Sequence, residues 1–244
     1  LEVNILGVGD RELLRVSEEL GLALSLEEMR AVQGYFSGLG RSPTDVELQT
    51  VGQTWSEHCY HKTFKGDVVA PDGALIARGL FRAYIARATE ELNPPWCLDV
   101  FRDNAGIVDF EGGYAVAAKV ETHNHPSAVE PFGGAATGTG GVIRDILGVW
   151  AMPIACTDVL CFGPLDYDFA GLPPGTKHPR YLFKGVVAGI GCYGNNMGIP
   201  TVNGAVCFDG GYVGNVVVYC GCVGILPMDQ FVRSTGPGDA AVLV

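Results

Sequence analysis

Lys119-Val-Glu-Thr-His-Asn-His-Pro-Ser-Ala-Val-Glu-Pro-Phe-Gly-Gly-Ala-Ala-Thr-Gly-Thr-Gly-Gly-Val-Ile-Arg-Asp145 gathers a lysine, carboxylates, two histidines, a glycine-rich run and an Arg-Asp pair into one short segment. Residues 113–121, which lead into it, alternate apolar and polar and read as a half-buried strand. A period of two sends Lys119, Glu121 and, if the strand stays extended, His123 to one face, with Val116, Ala118 and Val120 on the other. Pro126 ends regular pairing. The glycine-rich run 133–141 reads as a turn, followed by Ile143, Ile146, Leu147 and Trp150 at helical spacing. Such a turn entering a helix presents backbone N–H groups to an anion, although a plain structural turn accounts for the glycines equally well. It is not a Walker A loop, for no Gly-Lys-Ser/Thr follows, and it lacks the G-x-G-x-x-G spacing of a dinucleotide turn.

The chemistry of this stretch follows from its residue types. Glu121 and Asp145 are candidate ligands for a hard cation, and Lys119 and Arg144 are candidate holders of phosphate oxygens. His123, or His58 further upstream, is a candidate proton carrier near neutral pH. Together they point to nucleotide-dependent phosphoryl transfer. The rival reading is a zinc site on His123-Asn124-His125, since H-x-H on a strand is a common ligand pair. The chain has only five histidines to complete it, and His178 falls in a separate loop, where it reads as solvated.

Towards the N-terminus, residues 1–42 read as a small helical unit. Asp10 is placed to cap a helix carrying Leu13, Leu14, Val16 and Leu20, ended by Gly21. Ser25 with Glu28 forms a capping box for a second helix presenting Met29, Val32, Tyr35 and Phe36. Thr44 with Glu47 opens a third, running through Leu48, Val51 and Trp55 towards Ser56-Glu-His-Cys-Tyr-His-Lys62. Leu75, Ile76, Leu80 and Ile85 suggest a helix that stops before Asn93-Pro94-Pro95. One or two short strands are expected over 98–110, around a turn at 103–106.

Towards the C-terminus, residues 153–162 read as a buried strand, 173–180 as a surface loop, 181–190 as a helix and 193–198 as a turn-rich patch. Residues 202–208 and 213–223 read as core strands. The apolar run 240–244 reads as a strand with nothing after it, which implies that the chain continues.

Composition narrows the class. A net charge of −11, from 16 basic against 27 acidic residues, argues against a general nucleic-acid binder. No apolar run is long enough to span a bilayer and no secretory leader is recognisable, so the expected location is cytoplasmic, with no membrane partner. Eight cysteines without a C-x-x-C pair read as reduced thiols, and 35 glycines favour an α/β or α+β enzyme over a helical bundle.

Thr54-Trp-Ser-Glu-His-Cys59, Lys119-Val-Glu-Thr-His-Asn-His-Pro126, Pro131-Phe-Gly-Gly-Ala-Ala-Thr-Gly138, Gly140-Gly-Val-Ile-Arg-Asp145 and Tyr193-Gly-Asn-Asn-Met-Gly-Ile-Pro-Thr201 resemble the signature blocks of the phosphoribosylformylglycinamidine synthase family, also called formylglycinamide ribonucleotide amidotransferase. The resemblance runs from about Leu13 to the end. It implies an aminoimidazole ribonucleotide synthetase-like (PurM-like) α/β domain over 43–228, whose sheet joins a sister sheet into a barrel, with residues 229–244 opening a further domain. It also implies an ATP-dependent carbon–nitrogen ligase of purine biosynthesis. ATP activates an amide oxygen of formylglycinamide ribonucleotide as an iminophosphate, and glutamine-derived ammonia from a glutaminase subunit or domain displaces phosphate.

Carried over by position, the resemblance makes His58 and His123 catalytic and gives ATP contacts to Lys119 and His61. It makes Glu121 and Asp145 ligands of Mg2+, and Thr122, His123, Asn124, His125 and Arg144 contacts of the ribonucleotide. His61 stands where small-subunit members often carry Tyr, Ala205 where Glu is usual, and Cys192 where many have Asp. The family's remaining site residues would lie past position 244, so this stretch alone is expected to be inactive. Another ATP-dependent enzyme of the same superfamily, or a non-catalytic scaffold, are the alternatives. The Ser-Glu-His-Cys and His-Asn-His-Pro blocks speak against the first, and the joint presence of Lys119, Glu121, His123, Arg144 and Asp145 speaks against the second.

Overall fold

The structure is a computed structural model that describes residues 1–230 and 236–240. Residues 241–244 of the expected terminal strand lie outside the described residues. By internal contacts the chain divides into two compact units, Leu1–Leu92 and Asn93–Val244.

The first unit is organised by helices α1 (Asp10–Glu19), α2 (Leu26–Leu39) and α3 (Asp45–Thr54). Both expected capping boxes form. Glu28 N–H donates to Ser25 Oγ at 3.3 Å and Ser25 N–H to Glu28 Oε2 at 2.9 Å, with the same exchange between Thr44 and Glu47. Each box satisfies two helix-end donors that would otherwise face water or be orphaned. Asp10 does not cap α1; Gly9 holds that position, and the Asp10 carboxylate is instead engaged by Arg30. Ile5, Leu13, Met29 and Leu48 form a fully buried core, whereas Tyr35 turns outward and is 66% exposed.

Beyond α3 come two single-turn helices, α4 (Glu57–Tyr60) and α5 (Lys62–Lys65), separated by His61 in the left-handed region at φ +56°. The helix expected to hold Leu75 and Ile76 is instead a hairpin of β1 (Asp67–Val69) and β2 (Leu75–Arg78). Asp72-Gly73 decides this: Asp72 Oδ1 accepts from Ala74 N–H at 3.0 Å and Gly73 adopts φ +85°. Those are turn contacts that a helix cannot contain. Helical structure begins only after Gly79, with a π-turn over Phe81–Ala86 running into α6 (Arg87–Leu92).

The second unit contains β3 (Cys97–Asp99), β4 (Gly106–Phe110), β5 (Tyr114–Thr122), α7 (Asn124–Val129), α8 (Pro131–Gly148), β6 (Met152–Phe162), α9 (Pro179–Met197), β7 (Thr201–Phe208) and β8 (Val217–Pro227). Its sheet runs β3-β4-β5-β8-β6-β7 and is antiparallel except for the parallel β6–β7 pair. Helices α8 and α9 pack on each other and α8 lies over β5, β8 and β6, so one face carries the core of Ala115, Ala117, Ile143, Ile146, Val218 and Cys220. The opposite face leaves Val120, Val159 and Tyr219 exposed.

The glycine-rich run is not a turn. It lies inside α8, where its glycines let neighbours approach closely. A Cβ at Gly134 would fall 2.5 Å from the Pro126 carbonyl carbon, and one at Gly140 would fall 2.6 Å from the Tyr193 ring. In α9 a Cβ at Gly189 would fall 2.2 Å from the Phe132 carbonyl oxygen. Glycine costs a helix roughly 0.5–1 kcal/mol relative to alanine, and tight packing against α9 and the chain entering α8 offsets that cost.

Other expectations shift for related reasons. Leu147 is 49% exposed near the end of α8, and Trp150, 59% exposed, lies past the helix end at φ +67°. Residues 193–198 complete α9, which Gly198 ends at φ +71°. Strand β7 is exposed along its whole length because it forms the sheet edge, and β8 starts at Val217 because a 3-10 turn occupies Gly210–Tyr212. His178 is not a solvated loop residue: its Nδ1 accepts from Arg180 N–H at 3.1 Å, capping α9, and its ring stacks on Phe169. Among the described residues no helix is long and apolar enough to cross a membrane.

Candidate active site

Strand alternation places Lys119 and Glu121 side by side on the helix-covered face of β5, and α8 brings Asp145 to them. Lys119 Nζ stands 2.9 Å from Glu121 Oε1 and 3.3 Å from Asp145 Oδ2. Arg144 Nη2 lies 3.6 Å from Asp145 Oδ1, with its side chain 82% exposed while that of Asp145 is only 10% exposed. Burial is the largest single influence on the Lys119 ammonium and would lower its pKa. The hydrogen bonds and charges of Glu121 and then Asp145 together outweigh burial, and the pKa is raised. Lys119 is therefore a fixed positive charge between two carboxylates.

His123 is not on the strand face, because β5 ends at Thr122 and His123 turns the chain into α7 with φ −129° and ψ 49°. Its N–H donates to Val218 O at 2.8 Å and its carbonyl accepts from Ser127 Oγ at 2.6 Å, so backbone bonds on both sides fix the residue. The imidazole passes under α8, where a Cβ at Gly138 would sit 2.9 Å from His123 Cβ. Its Nδ1 is buried without a hydrogen-bond partner in the structure. Asn124 uses its Oδ1 to accept from Val218 N–H at 2.8 Å, clasping α7 to β8, while Thr122 and His125 are exposed.

His58 and His61 belong to the first unit. His58 is exposed on α4, and His61 is exposed at the left-handed junction before α5. Glu57 shapes this junction by accepting from Thr63 N–H with both carboxylate oxygens at 3.1 Å.

The donor set suits a hard cation. Two oxygen-bearing side chains converge on one point that an ammonium now fills, and Mg2+ commonly takes one or two carboxylates and completes its shell with water and phosphate. Zinc fares worse. Among the described residues no group of three or more His, Cys, Asp or Glu side chains could hold a metal, so His123 and His125 find no further ligand.

One buried group escaped the sequence reading. Asp158 on β6 is 6% exposed; Thr201 Oγ1 donates to its Oδ2 at 3.3 Å, and its Oδ1 is buried without a partner. Burial pushes its pKa up. It lies across from Cys220, which in turn lies across from Glu121, so a row of polar side chains crosses the covered face of the sheet. Burial, followed by the Asp158 charge, pushes the Cys220 thiol up to about 12. A single carboxylate inside the largely apolar strand 153–162 was the signal available in sequence.

These features define a mixed α/β domain that sets a lysine–carboxylate cluster between a strand and a glycine-rich helix. Residues 102–226 match the family model described as AIR synthase related protein, N-terminal domain, and residues 13–62 match the formylglycinamide ribonucleotide amidotransferase linker domain. The chain belongs to the AIR synthase related protein family. It is 45% identical, over 99% of its length, to phosphoribosylformylglycinamidine synthase subunit PurL of Thermoplasma acidophilum, covering 30% of that protein. Among solved structures, PurL of Thermotoga maritima complexed with ATP is similar with a TM-score of 0.59 and 34% identity, over 85% of this chain and 29% of that one. The same protein complexed with FGAR gives a TM-score of 0.56 and 33% identity, over 84% and 27%. The chain thus spans about 30% of the length of that relative.

Proposed function

We propose that this chain supplies part of the site of a cytoplasmic phosphoribosylformylglycinamidine synthase, amidating formylglycinamide ribonucleotide at the expense of ATP. The observation that carries the reading is Lys119 held between Glu121 and Asp145. That arrangement offers a cation to phosphate oxygens and, once the lysine turns to the nucleotide, two carboxylates to Mg2+. The likeness to PurL structures containing ATP and FGAR supports the same assignment.

In the reaction the amide oxygen of the ribonucleotide attacks the γ-phosphorus of ATP, ADP departs, and an iminophosphate forms. Ammonia, delivered by a glutaminase partner, adds to the imidate carbon, and phosphate leaves with the former amide oxygen. The bound Mg2+ would neutralise phosphate charge. Lys119 and His61 hold ATP, Arg144 and the run Thr122 to His125 orient the ribonucleotide, and His123 takes the proton released as ammonia adds, with His58 as the second catalytic histidine. Residues 43–228 serve as the catalytic domain, which follows the helical unit 1–42 in sequence, and residues 229–244 lead into the remainder of the synthetase, which supplies the rest of the site.

The test uses the full-length protein with Mg2+, ATP and ammonium chloride, following ADP release with and without formylglycinamide ribonucleotide. Release that requires the ribonucleotide supports the assignment, and release indifferent to it removes the assignment.

A further inference from the structure

The first unit holds a cavity of about 640 Å3 that shares no residue with the Lys119 cluster. Four cationic side chains line it: Lys65, Arg78, Arg82 and Arg87. Asp67 and Glu90 are the acidic residues of the lining, and Phe64 and Phe81 give it aromatic walls. Arg87 is committed to Glu91, its Nε 2.6 Å from Oε1, and Lys65 Nζ lies 3.8 Å from the centre of the Tyr60 ring. Among the described residues neither Arg78 nor Arg82 pairs with a carboxylate.

This concentration runs against the charge of the whole chain. Residues 62–87 carry five basic and two acidic side chains, in a protein of 16 basic and 27 acidic residues. Two unneutralised guanidinium groups on one cavity repel each other, and a bound anion would turn that repulsion into attraction. A guanidinium presents a planar fork of donors suited to phosphate oxygens. The volume is that of a small-molecule site, which typically occupies about 300–1,000 Å3.

We propose that this cavity binds a small phosphate-bearing anion, with Arg78 and Arg82 as its principal ligands, Lys65 as a supporting charge, and the Phe64 and Phe81 rings as walls.

Calorimetric titration of the full chain with pyrophosphate tests the site, using the wild type, Arg78→Ala/Arg82→Ala, the milder Arg82→Gln, Lys119→Ala and, as a charge control outside both sites, Lys177→Ala, each checked for folding by circular dichroism. Wild type binds, the double variant loses at least tenfold in affinity, Arg82→Gln loses about threefold, and Lys177→Ala stays within twofold. Absence of wild-type binding, or loss through Lys119→Ala with none through the arginine variants, overturns the proposal. AMP and inorganic phosphate are then compared: tighter binding of AMP identifies an organic phosphate resting on the rings, and equal binding identifies the free ion, either result supporting the site. A single-stranded oligonucleotide that binds through Arg78 and Arg82 and is not displaced by pyrophosphate overturns it in favour of nucleic-acid recognition.

Discussion

Lys119 Nζ lies 3.3 Å from Asp145 Oδ2, joining the end of β5 to α8 across a side chain that is only 10% exposed on the aspartate side. Removing the lysine leaves that carboxylate with only the exposed Arg144, 3.6 Å away. Breaking a fully buried pair costs about 3–5 kcal/mol, but Lys119 is partly exposed and solvent screens the interaction, so Lys119→Ala should destabilise by about 1–2 kcal/mol. The raised lysine pKa fixes the pH window: the pair's contribution is present below the ordinary lysine value of 10.5 and is lost as pH rises through the higher folded value. Thermal denaturation should therefore show a constant gap between wild type and variant from pH 6 to about 9, closing only at more alkaline pH. Millimolar Mg2+ should raise the melting temperature of the variant more than that of the wild type, because the competing ammonium is gone. Equal shifts would remove Glu121 and Asp145 as a cation site.

The glycines of α8 and α9 make a second test with an internal control. Gly140→Ala drives a methyl into the Tyr193 ring, and Gly189→Ala drives one into the Phe132 carbonyl. Each should cost about 1–3 kcal/mol, the range for overpacking. Tyr193→Ala should recover much of the stability lost in Gly140→Ala, since the obstacle there is a side chain. No side-chain change at Phe132 should rescue Gly189→Ala, because that obstacle is backbone. Denaturant midpoints of the single and double variants distinguish the two cases.

Asp158 gives a pH dependence in the same direction as that of Lys119, falling with rising pH, but here the substitution stabilises where the ion is formed instead of destabilising. Burial raises its folded pKa above the ordinary 3.8, so the protonated acid costs nothing below that value and stability falls as pH rises through the folded pKa. Asp158→Asn should leave stability near pH 3.5 unchanged and raise it at pH 7 by about 1 kcal/mol, the scale of an unsatisfied buried polar group. Denaturant unfolding at both pH values measures this, and a stabilisation independent of pH would contradict it.

Local signals carried much of the fold. Ser25 with Glu28 and Thr44 with Glu47 announced helix starts because their contacts lie within one turn, and the alternation before Lys119 announced β5 because the sheet has a single covered face. Readings failed where distant contacts decided. Gly134, Gly138 and Gly140 resemble turn glycines until the chain entering α8, His123 and Tyr193 are seen pressed against them. Strand β7 looks like a core strand by composition, and only its edge position exposes it. Within the site, period two paired Lys119 with Glu121, but nothing local revealed that Asn124 would bind Val218 N–H and end the strand just before His123 could share its face. Asp158 needed the pairing of β6 with β8 to become visible as a buried acid beside Cys220.

His123 is held by backbone bonds to β8 and α7, so its ring can be removed without losing those contacts. In the full-length protein His123→Ala should fold normally and lower ribonucleotide-dependent ADP release by about 100-fold or more, the scale of a lost general base. A melting temperature near wild type with near wild-type turnover would take His123 out of the chemistry.

The most direct test follows one atom. Formylglycinamide ribonucleotide labelled with oxygen-18 at the reacting amide is turned over by the full-length protein with Mg2+, ATP and ammonia, and the phosphate released is analysed by mass spectrometry. Activation of the amide oxygen by ATP predicts one labelled oxygen in each phosphate formed. Unlabelled phosphate alongside formation of the amidine would contradict the account.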